Sequence, residues 1–337
     1  MASPFLFLII LIFLPFLLLF VVLIFLVRPS PAKIPIANRH VFITGGSSGI
    51  GFALALKTAS EGARVSILAR NRNKLEESRK AILLATGVEI GVYSADVRDP
   101  EAVQEVIDSV GEIDVLVVNH GVFLPRELDE EELEEVRFMV EVNVMGSFHV
   151  IKAALKGMKR RGTGRGPRSI AIMSSQAGQV GVYGYTAYCA SKFALRGLGE
   201  ALQQEVIEDD IHVSIIFPPD TKTPGLDLEN SLRPDISRVI AGYSVEMKAE
   251  SVAEKTLNGI KSGSFIVTCN FEGLMLSIAT AGFSPQRSYI MAFCEILGAS
   301  FMRFVGLCFV WNWYGIVKNC TAAATANKKI DREIMNV

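Results

Sequence analysis

Four glycines in eight residues, Thr44-Gly45-Gly46-Ser47-Ser48-Gly49-Ile50-Gly51, constrain this chain more than any other feature. They follow an apolar run, His40–Thr44, and precede a helical pattern, Ala53–Ser60. A strand that enters glycines and leaves as a helix brings bare backbone N–H groups to a helix N-terminus, where the dipole favours a phosphate group. Gly45 and Gly49 then let the backbone approach a pyrophosphate, and Gly51 permits close packing of helix on sheet. Ser47 and Ser48 add hydroxyl donors beside Ile50. The same alternation repeats downstream. Strand patterns fall at Arg64–Ala69, Glu89–Ala95, Asp114–Val118, Arg168–Met173 and His212–Phe217. Helical patterns fall between them at Asn71–Leu84, Pro100–Val110, Leu133–Met158 and Tyr188–Ile207. Asp114–Val118 reads as a buried strand of the kind parallel sheets use. The expected fold class is α/β, a doubly wound parallel sheet. There is no internal repeat and no second globular domain.

A pyrophosphate in such a turn implies a dinucleotide and a Rossmann-type sheet. The end of the second strand indicates which dinucleotide. An Asp or Glu there would bind the ribose 2′-OH of NAD. Here the place reads Leu68-Ala69-Arg70-Asn71-Arg72-Asn73-Lys74, with no acid. Arg70 offers a planar fork and Lys74 a point charge to a 2′-phosphate, so NADPH is expected over NADH. The plainer reading is a solvated cationic helix start. Asp96 and Val97, after the third strand, are placed to meet the adenine. Asn119 and Gly121, after the fourth, are placed along the cofactor ribose.

Tyr188 and Lys192 lie four residues apart, one turn apart on one helix face. Ser175 precedes Tyr188 by thirteen residues. Reducing a ketone needs a hydride on carbon and a proton on oxygen, and a nicotinamide supplies the hydride. A phenol with a pKa of ~10 is a usable acid only if that value falls toward 7, which takes about 4 kcal/mol of phenolate stabilisation. Lys192⁺ and the oxidised nicotinamide are expected to supply it, which puts Tyr188 and Lys192 against the cofactor as well. Ser175 would hydrogen-bond the substrate oxygen, with Ser174 as the second candidate. Asn143 would hold a water that relays protons through Lys192.

Composition excludes other classes. The net charge is −1 and no basic stripe runs through the chain, which argues against a nucleic-acid partner. The five cysteines, Cys189, Cys269, Cys294, Cys308 and Cys320, form no CxxC pair and no Cys/His cluster, so neither a disulfide framework nor a metal site is expected. Cys189 reads as a small buried side chain. Glu127–Glu135 reads as a solvated helix start, and Gly162–Pro167 as a surface turn, because it runs from helix into strand.

Half of the chain is hydrophobic, and the excess sits at the two ends. Pro4 to Val27 is apolar, uncharged and, at about 1.5 Å per residue, long enough for a bilayer core of roughly 30 Å. An uncleaved anchor is favoured over a signal peptide, since no Lys or Arg precedes it and no small-residue cleavage site follows. Arg28, Lys33 and Arg39 follow it, which puts the rest of the chain in the cytosol. Two more apolar stretches, Gly273–Phe283 and Tyr289–Val317, flank Ser284–Arg287. Glu295, Arg303 and Asn312 interrupt the second, so a shallow hairpin or interfacial helices with Trp311, Trp313 and Tyr314 at headgroup level compete with a pair of spans. A buried helical extension of the domain is a further reading, and Lys328, Lys329 and Arg332 form a solvated tail. The expected organisation is 1–27 transmembrane anchor, 28–37 linker, 38–265 NADP-binding catalytic domain and 266–337 apolar membrane-associated segment and tail.

The set Thr44-Gly45-x3-Gly49-x-Gly51, Asn119-x-Gly121, Asn143, Ser175 and Tyr188-x3-Lys192 resembles the short-chain dehydrogenase/reductase superfamily over about residues 38–265. The resemblance implies a Ser175–Tyr188–Lys192–Asn143 tetrad, and Thr221 joins the cofactor-contacting residues. His120 departs from it, since an Ala is usual there. Ser174–Gln179, Ala190–Leu198 and Pro218–Gly225, with both apolar ends, resemble the 3-ketodihydrosphingosine reductase family. That likeness implies NADPH-dependent reduction of a long-chain keto sphingoid base to sphinganine at the cytosolic face of the endoplasmic reticulum membrane. Asp220 could pair with the substrate ammonium, or simply form a turn. Alternatives are a membrane-bound NADP-dependent steroid or retinol dehydrogenase, and a non-catalytic NADP-sensing scaffold. Superfamily members often form homo-oligomers, and the membrane ends could prevent it.

Overall fold

A computed structural model describes residues 4–27, 32–160, 166–242 and 245–335. Arg28, linker residues 29–31 and most of the Gly162–Pro167 turn lie outside the described residues, as do the side chains of Lys328, Lys329 and Arg332. In chain order the elements are α1 (Pro4–Leu26), β1 (His40–Thr44), α2 (Gly49–Ser60), β2 (Arg64–Ala69), α3 (Arg72–Thr86), β3 (Gly91–Ser94), α4 (Pro100–Val110) and β4 (Val115–Val118). Then come α5 (Leu133–Val140), a π-helical turn (Glu141–Met145), α6 (Gly146–Arg160), β5 (Arg168–Met173), α7 (Thr186–Val206) and β6 (Ile211–Phe217). The remainder is β7 (Thr221–Lys222), α8 (Pro224–Leu232), α9 (Asp235–Ala241), β8 (Met247–Lys248), α10 (Ala249–Lys261), β9 (Ile266–Thr268), α11 (Phe271–Ala279) and α12 (Tyr289–Met335).

Seven parallel strands run in the order β3-β2-β1-β4-β5-β6-β9. The expected doubly wound sheet is the one found. The strands read as unbroken apolar runs because both faces are covered. In β1, Val41 and Ile43 join a core layer with α2 and α10, while Phe42 joins the opposite layer with α4, α6 and α7. In β4, Val115 and Val117 point one way and Leu116 and Val118 the other. The winding reverses between β1 and β4, and a crevice opens there at the carboxyl ends of the strands.

Three expectations change. The sheet does not end at residue 265: β9 pairs with β6, and α11 packs beyond it with Gly273, Ser277 and Ile278 buried. The linker is no free spacer, because Ile34 and Ile36 are buried in the core and Ile34 N–H donates to the Lys261 carbonyl at 2.9 Å. Leu133–Met158 is not one regular helix but two, joined by the π-helical turn that holds Asn143.

At the C-terminus, α11 has 9 residues, roughly 14 Å, too short to cross a bilayer. α11 and α12 pack on each other across the Ser284–Arg287 connection, and α12 runs unbroken for 47 residues. Phe16 and Phe20 of α1 meet Phe293 and Tyr289 of α12 edge to face, with centroids 5.6–6.5 Å apart. Among the described residues, two helical stretches are long and apolar enough to cross a membrane by length and composition. Leu133–Arg160 is partly buried against the sheet, whereas Tyr289–Ala323 is exposed or half-buried throughout except for Ala292. The described side chains of α1 are almost all exposed.

Candidate active site

Four loops meet at the carboxyl ends of β1, β4, β5 and β6. Thr44, the last residue of β1, locks two of them: its Oγ1 accepts from Asn119 N–H at 3.0 Å and pairs with His120 Nδ1 at 2.8 Å. His120 is thereby turned into the interior, away from the crevice. Burial and the Lys192 charge depress it to about 3, so it stays neutral, and an added Cβ on Gly146 would come within 2.9 Å of its Nε2.

The glycine turn is a cradle that side chains would fill. Gly45 and Gly49 have φ of +64° and +55°, conformations that strain other residues. A Cβ on Gly51 would lie 2.2 Å from the Gly45 carbonyl oxygen and 2.5 Å from Asn119 Nδ2. Gly46, which the spacing did not single out, would put its Cβ 2.6 Å from Ile67. Ser48 precedes α2 with its side chain making no capping bond, and the Ser47 carbonyl accepts from Ser78. The turn therefore offers bare backbone at a helix N-terminus, as a pyrophosphate requires. Ile50, Asn119, Gly121 and Thr221 line the same cavity as the residues below.

Around the adenine side the outcome is mixed. Arg70 and Lys74 are both exposed beside the crevice, and Asn71 Oδ1 caps α3 by accepting from Lys74 N–H at 3.0 Å. The Asp96 carboxylate is already held by Arg98, with contacts down to 2.7 Å, and these hydrogen bonds lower its pKa. Val97 is buried, and its carbonyl accepts from or faces His149 Nδ1 at 2.9 Å.

Lys192 is 4% exposed, and its Nζ donates to the Met173 carbonyl at 3.0 Å and sits 5.6 Å from the centre of the Tyr188 ring. Burial depresses it to about 8. Asn143 is fully buried. Its Nδ2 donates to the Val122 carbonyl at 2.8 Å and to Ser191 Oγ at 2.9 Å, while its Oδ1 accepts from Val122 N–H at 2.8 Å. Those bonds occupy the side chain and clamp the Gly121–Val122 backbone beside Lys192. The two serines separate. Ser174 is buried, and its Oγ donates to the Lys192 carbonyl at 3.0 Å, a bond internal to the fold. Ser175 is partly exposed, hydrogen-bonds the Tyr188 phenol and faces the cavity. Phe123 and Tyr185 brace the Tyr188 ring at 6.0 and 6.1 Å. Cys189 is buried among Ala177 and Tyr185, with burial pushing its thiol pKa up.

The protein's own groups do not lower the Tyr188 phenol. Burial, and then the Glu229 charge, push it above its ordinary value, and the Ser175 hydrogen bond only partly offsets them.

One wall was not foreseen. Tyr185 donates to Glu229 at 2.6 Å, and Arg233 Nη2 donates to Glu229 at 2.8 Å and to Asp220 at 2.9 Å. Asp220 therefore does more than form a turn. Glu229 and Arg233 show an i, i+4 ion-pair spacing in the sequence, but nothing there says that α8 folds over Tyr188. The cavity, about 500 Å³, continues past this cluster between α11 and α12.

The pattern of the short chain dehydrogenase family matches residues 39–233. The chain is 58% identical over 300 residues to 3-dehydrosphinganine reductase TSC10A of Arabidopsis thaliana, covering 89% of this chain and 92% of that one. Among solved structures, L-sorbose reductase from Gluconobacter frateurii complexed with NADPH and L-sorbose is similar, with 26% identity, a TM-score of 0.61 and coverage of 71% and 98%. So is 3-ketoacyl-(acyl-carrier-protein) reductase from Brucella melitensis complexed with NADH, at 22% identity, TM-score 0.62 and coverage of 69% and 97%.

Proposed function

We propose the reaction from one premise: the chain belongs to the short chain dehydrogenase family, in its 3-dehydrosphinganine reductase branch. It is an oxidoreductase that reduces 3-ketodihydrosphingosine to sphinganine in sphingolipid synthesis. Its cofactor is a nicotinamide dinucleotide, which when bound supplies the hydride. Gly45, Ser47, Ser48, Gly49, Ile50 and Gly51 would hold the pyrophosphate, and Val97 with the Asp96 backbone the adenine. Asn119, Gly121, Tyr188, Lys192 and Thr221 would line the nicotinamide half. Arg70 and Lys74 select NADPH by pairing with the 2′-phosphate.

Ser175 donates a hydrogen bond to the substrate ketone oxygen and holds it at the phenol. Tyr188 gives that oxygen its proton. The phenol is protonated before reaction, and the buried Lys192 ammonium beside its ring stabilises the phenolate left behind. Lys192, poised near 8, shares the proton between the ring and solvent. Asn143 acts as a positioning residue that fixes the Gly121–Val122 backbone against Lys192. Ser174 braces α7 and is not the polarising serine. Asp220 and Glu229 share one guanidinium, so with both ionised one negative charge faces the cavity, and it complements the substrate ammonium.

The bilayer is the second partner. α1 anchors the chain in the endoplasmic reticulum membrane, and Lys33 and Arg39 after it keep the catalytic domain in the cytosol. The observation that supports the reading is that Ser175 and Tyr188 share one cavity with Ile50 of the glycine turn, Asn119 and Gly121 on one side and apolar helices on the other. The test is NADPH oxidation by detergent-solubilised protein with 3-ketodihydrosphingosine, beside Tyr188→Phe. Turnover that the variant loses by about a hundredfold or more supports the reading. NADPH binding without turnover would move the reaction to steroid or retinoid ketones.

A further inference from the structure

The cavity that begins at Ser175 and Tyr188 does not end within the sheet domain. Its far wall is Met275, Leu276 and Ala279 of α11 and one stripe of α12. That stripe is Met302, Val305, Gly306, Phe309, Val310 and Trp313. The spacing of three, one, three, one and three residues is a single helical face. The helix carries a second apolar surface, since Phe301, Phe304, Trp311 and Tyr314 are exposed. A helix that only spanned or lay on a membrane would need no inward stripe continuous with a reaction centre. Arg303 also reaches the cavity wall, so the apolar lining has a polar border.

The mounting of this wall is equally specific. Arg196, one turn after Lys192 on α7, donates to Thr280 Oγ1 at 3.2 Å, the Ala281 carbonyl at 3.2 Å and Ser284 Oγ at 2.8 Å. Arg287 is buried, donates to Gln203 of α7 at 2.9 Å and pairs with His212. The helix that carries Tyr188 and Lys192 thus also carries the pins for the connection from α11 to α12. The wall is held in register with the reacting group.

We propose that this α12 stripe is the wall of the channel for the substrate's alkyl tail, and that Gly306 sets its bore, so that chain-length selection resides in α12. The inference rests on the keto sphingoid base reading above. A Cβ at Gly306 would meet nothing within 4 Å, so a larger side chain there projects into the cavity without striking the fold. Gly315 is equally open but does not line the cavity, which makes it the matched control.

The experiment uses the full chain in detergent, with Gly306→Leu and Gly315→Leu, and two amino-ketones that share a head group but differ in tail length. The quantity read is the ratio of kcat/KM for the long-tailed ketone to that for the short one. Gly306→Leu should lower this ratio by about tenfold or more, on the scale of methylene misfits in apolar pockets, and Gly315→Leu should leave it unchanged. Trp313→Ala is the opposite perturbation and should shift preference toward longer tails, which keeps the test open if Gly306→Leu folds poorly. An unchanged ratio in both cavity variants, or an equal loss for both ketones, overturns the channel while leaving the reaction standing. No turnover of either ketone by the unaltered chain overturns the reaction and this inference with it.

Discussion

Gly51→Ala tests the cofactor cradle with the smallest possible change. The added methyl carbon would lie 2.2 Å from the Gly45 carbonyl oxygen, 2.9 Å from its carbon and 2.5 Å from Asn119 Nδ2. That is roughly 1 Å or more inside ordinary van der Waals separation. Neither neighbour can move cheaply. Gly45 is backbone at positive φ, fixed by its N–H bond to the Leu68 carbonyl at 2.7 Å, and Asn119 Nδ2 donates to Gly45 O at 3.2 Å. The strain must open the glycine turn, which on the proposed reading holds the pyrophosphate. Overpacking of this kind costs about 1–3 kcal/mol, and if half of it falls on the cofactor-competent geometry the dinucleotide binds about two- to tenfold more weakly. The assay is NADPH affinity by fluorescence titration, together with the melting temperature with and without NADPH. Gly157→Ala is the internal standard, since its Cβ would meet nothing within 4 Å in the middle of α6 and should raise stability by about 0.5–1 kcal/mol. An unchanged NADPH affinity and melting temperature in Gly51→Ala would refute the reasoning.

Three further outcomes are expected. Neutralising Arg70 and Lys74 together to Gln should weaken NADPH by about tenfold or more and leave NADH nearly untouched; equal loss of both would reject the 2′-phosphate role. Glu229→Gln should raise KM for the amino-ketone by about tenfold with NADPH binding intact, while a ketone without the amine should be indifferent. Lys192 gives two pH trends of opposite sign. Because burial holds it at about 8 against an ordinary 10.5, the unfolded chain binds this proton more tightly, so its penalty on stability is full below about 8 and is relieved as pH rises toward 10.5. Ketone reduction, which uses the protonated form, should instead fall as pH rises through about 8, and a pH–rate profile flat across that range would remove Lys192 from proton delivery.

Much of the fold was legible because its signals are local. Val41–Thr44, Val115–Val118 and Ile170–Met173 are apolar without alternation because a sheet covered by helices on both sides buries every residue, and that requirement is written into each strand separately. The glycine turn was legible for the same reason: Gly45 and Gly49 need a backbone conformation that other residues resist. The strand β9 was not, because three residues, Ile266–Thr268, carry no periodicity to read. The π-helical turn at Asn143 left no mark either, since the apolar spacing of α5 and α6 runs through it.

The sequence by itself determined the sheet, the glycine turn and the pairing of Tyr188 with Lys192, all matters of residues within a strand or one helical turn of each other. Only the tertiary structure decided that the Ser174 hydroxyl is buried and held by the Lys192 carbonyl while Ser175 stays partly exposed, because that depends on the direction in which β5 ends. It also decided that Arg98 occupies Asp96, that Glu229 and Arg233 come from α8 to stand over Tyr188, and that α12 turns one apolar face inward. The physical reason is the same in each case. Local pattern limits what a segment can form, whereas contacts between segments many residues apart are chosen by how whole elements pack, and no short stretch of sequence encodes that choice.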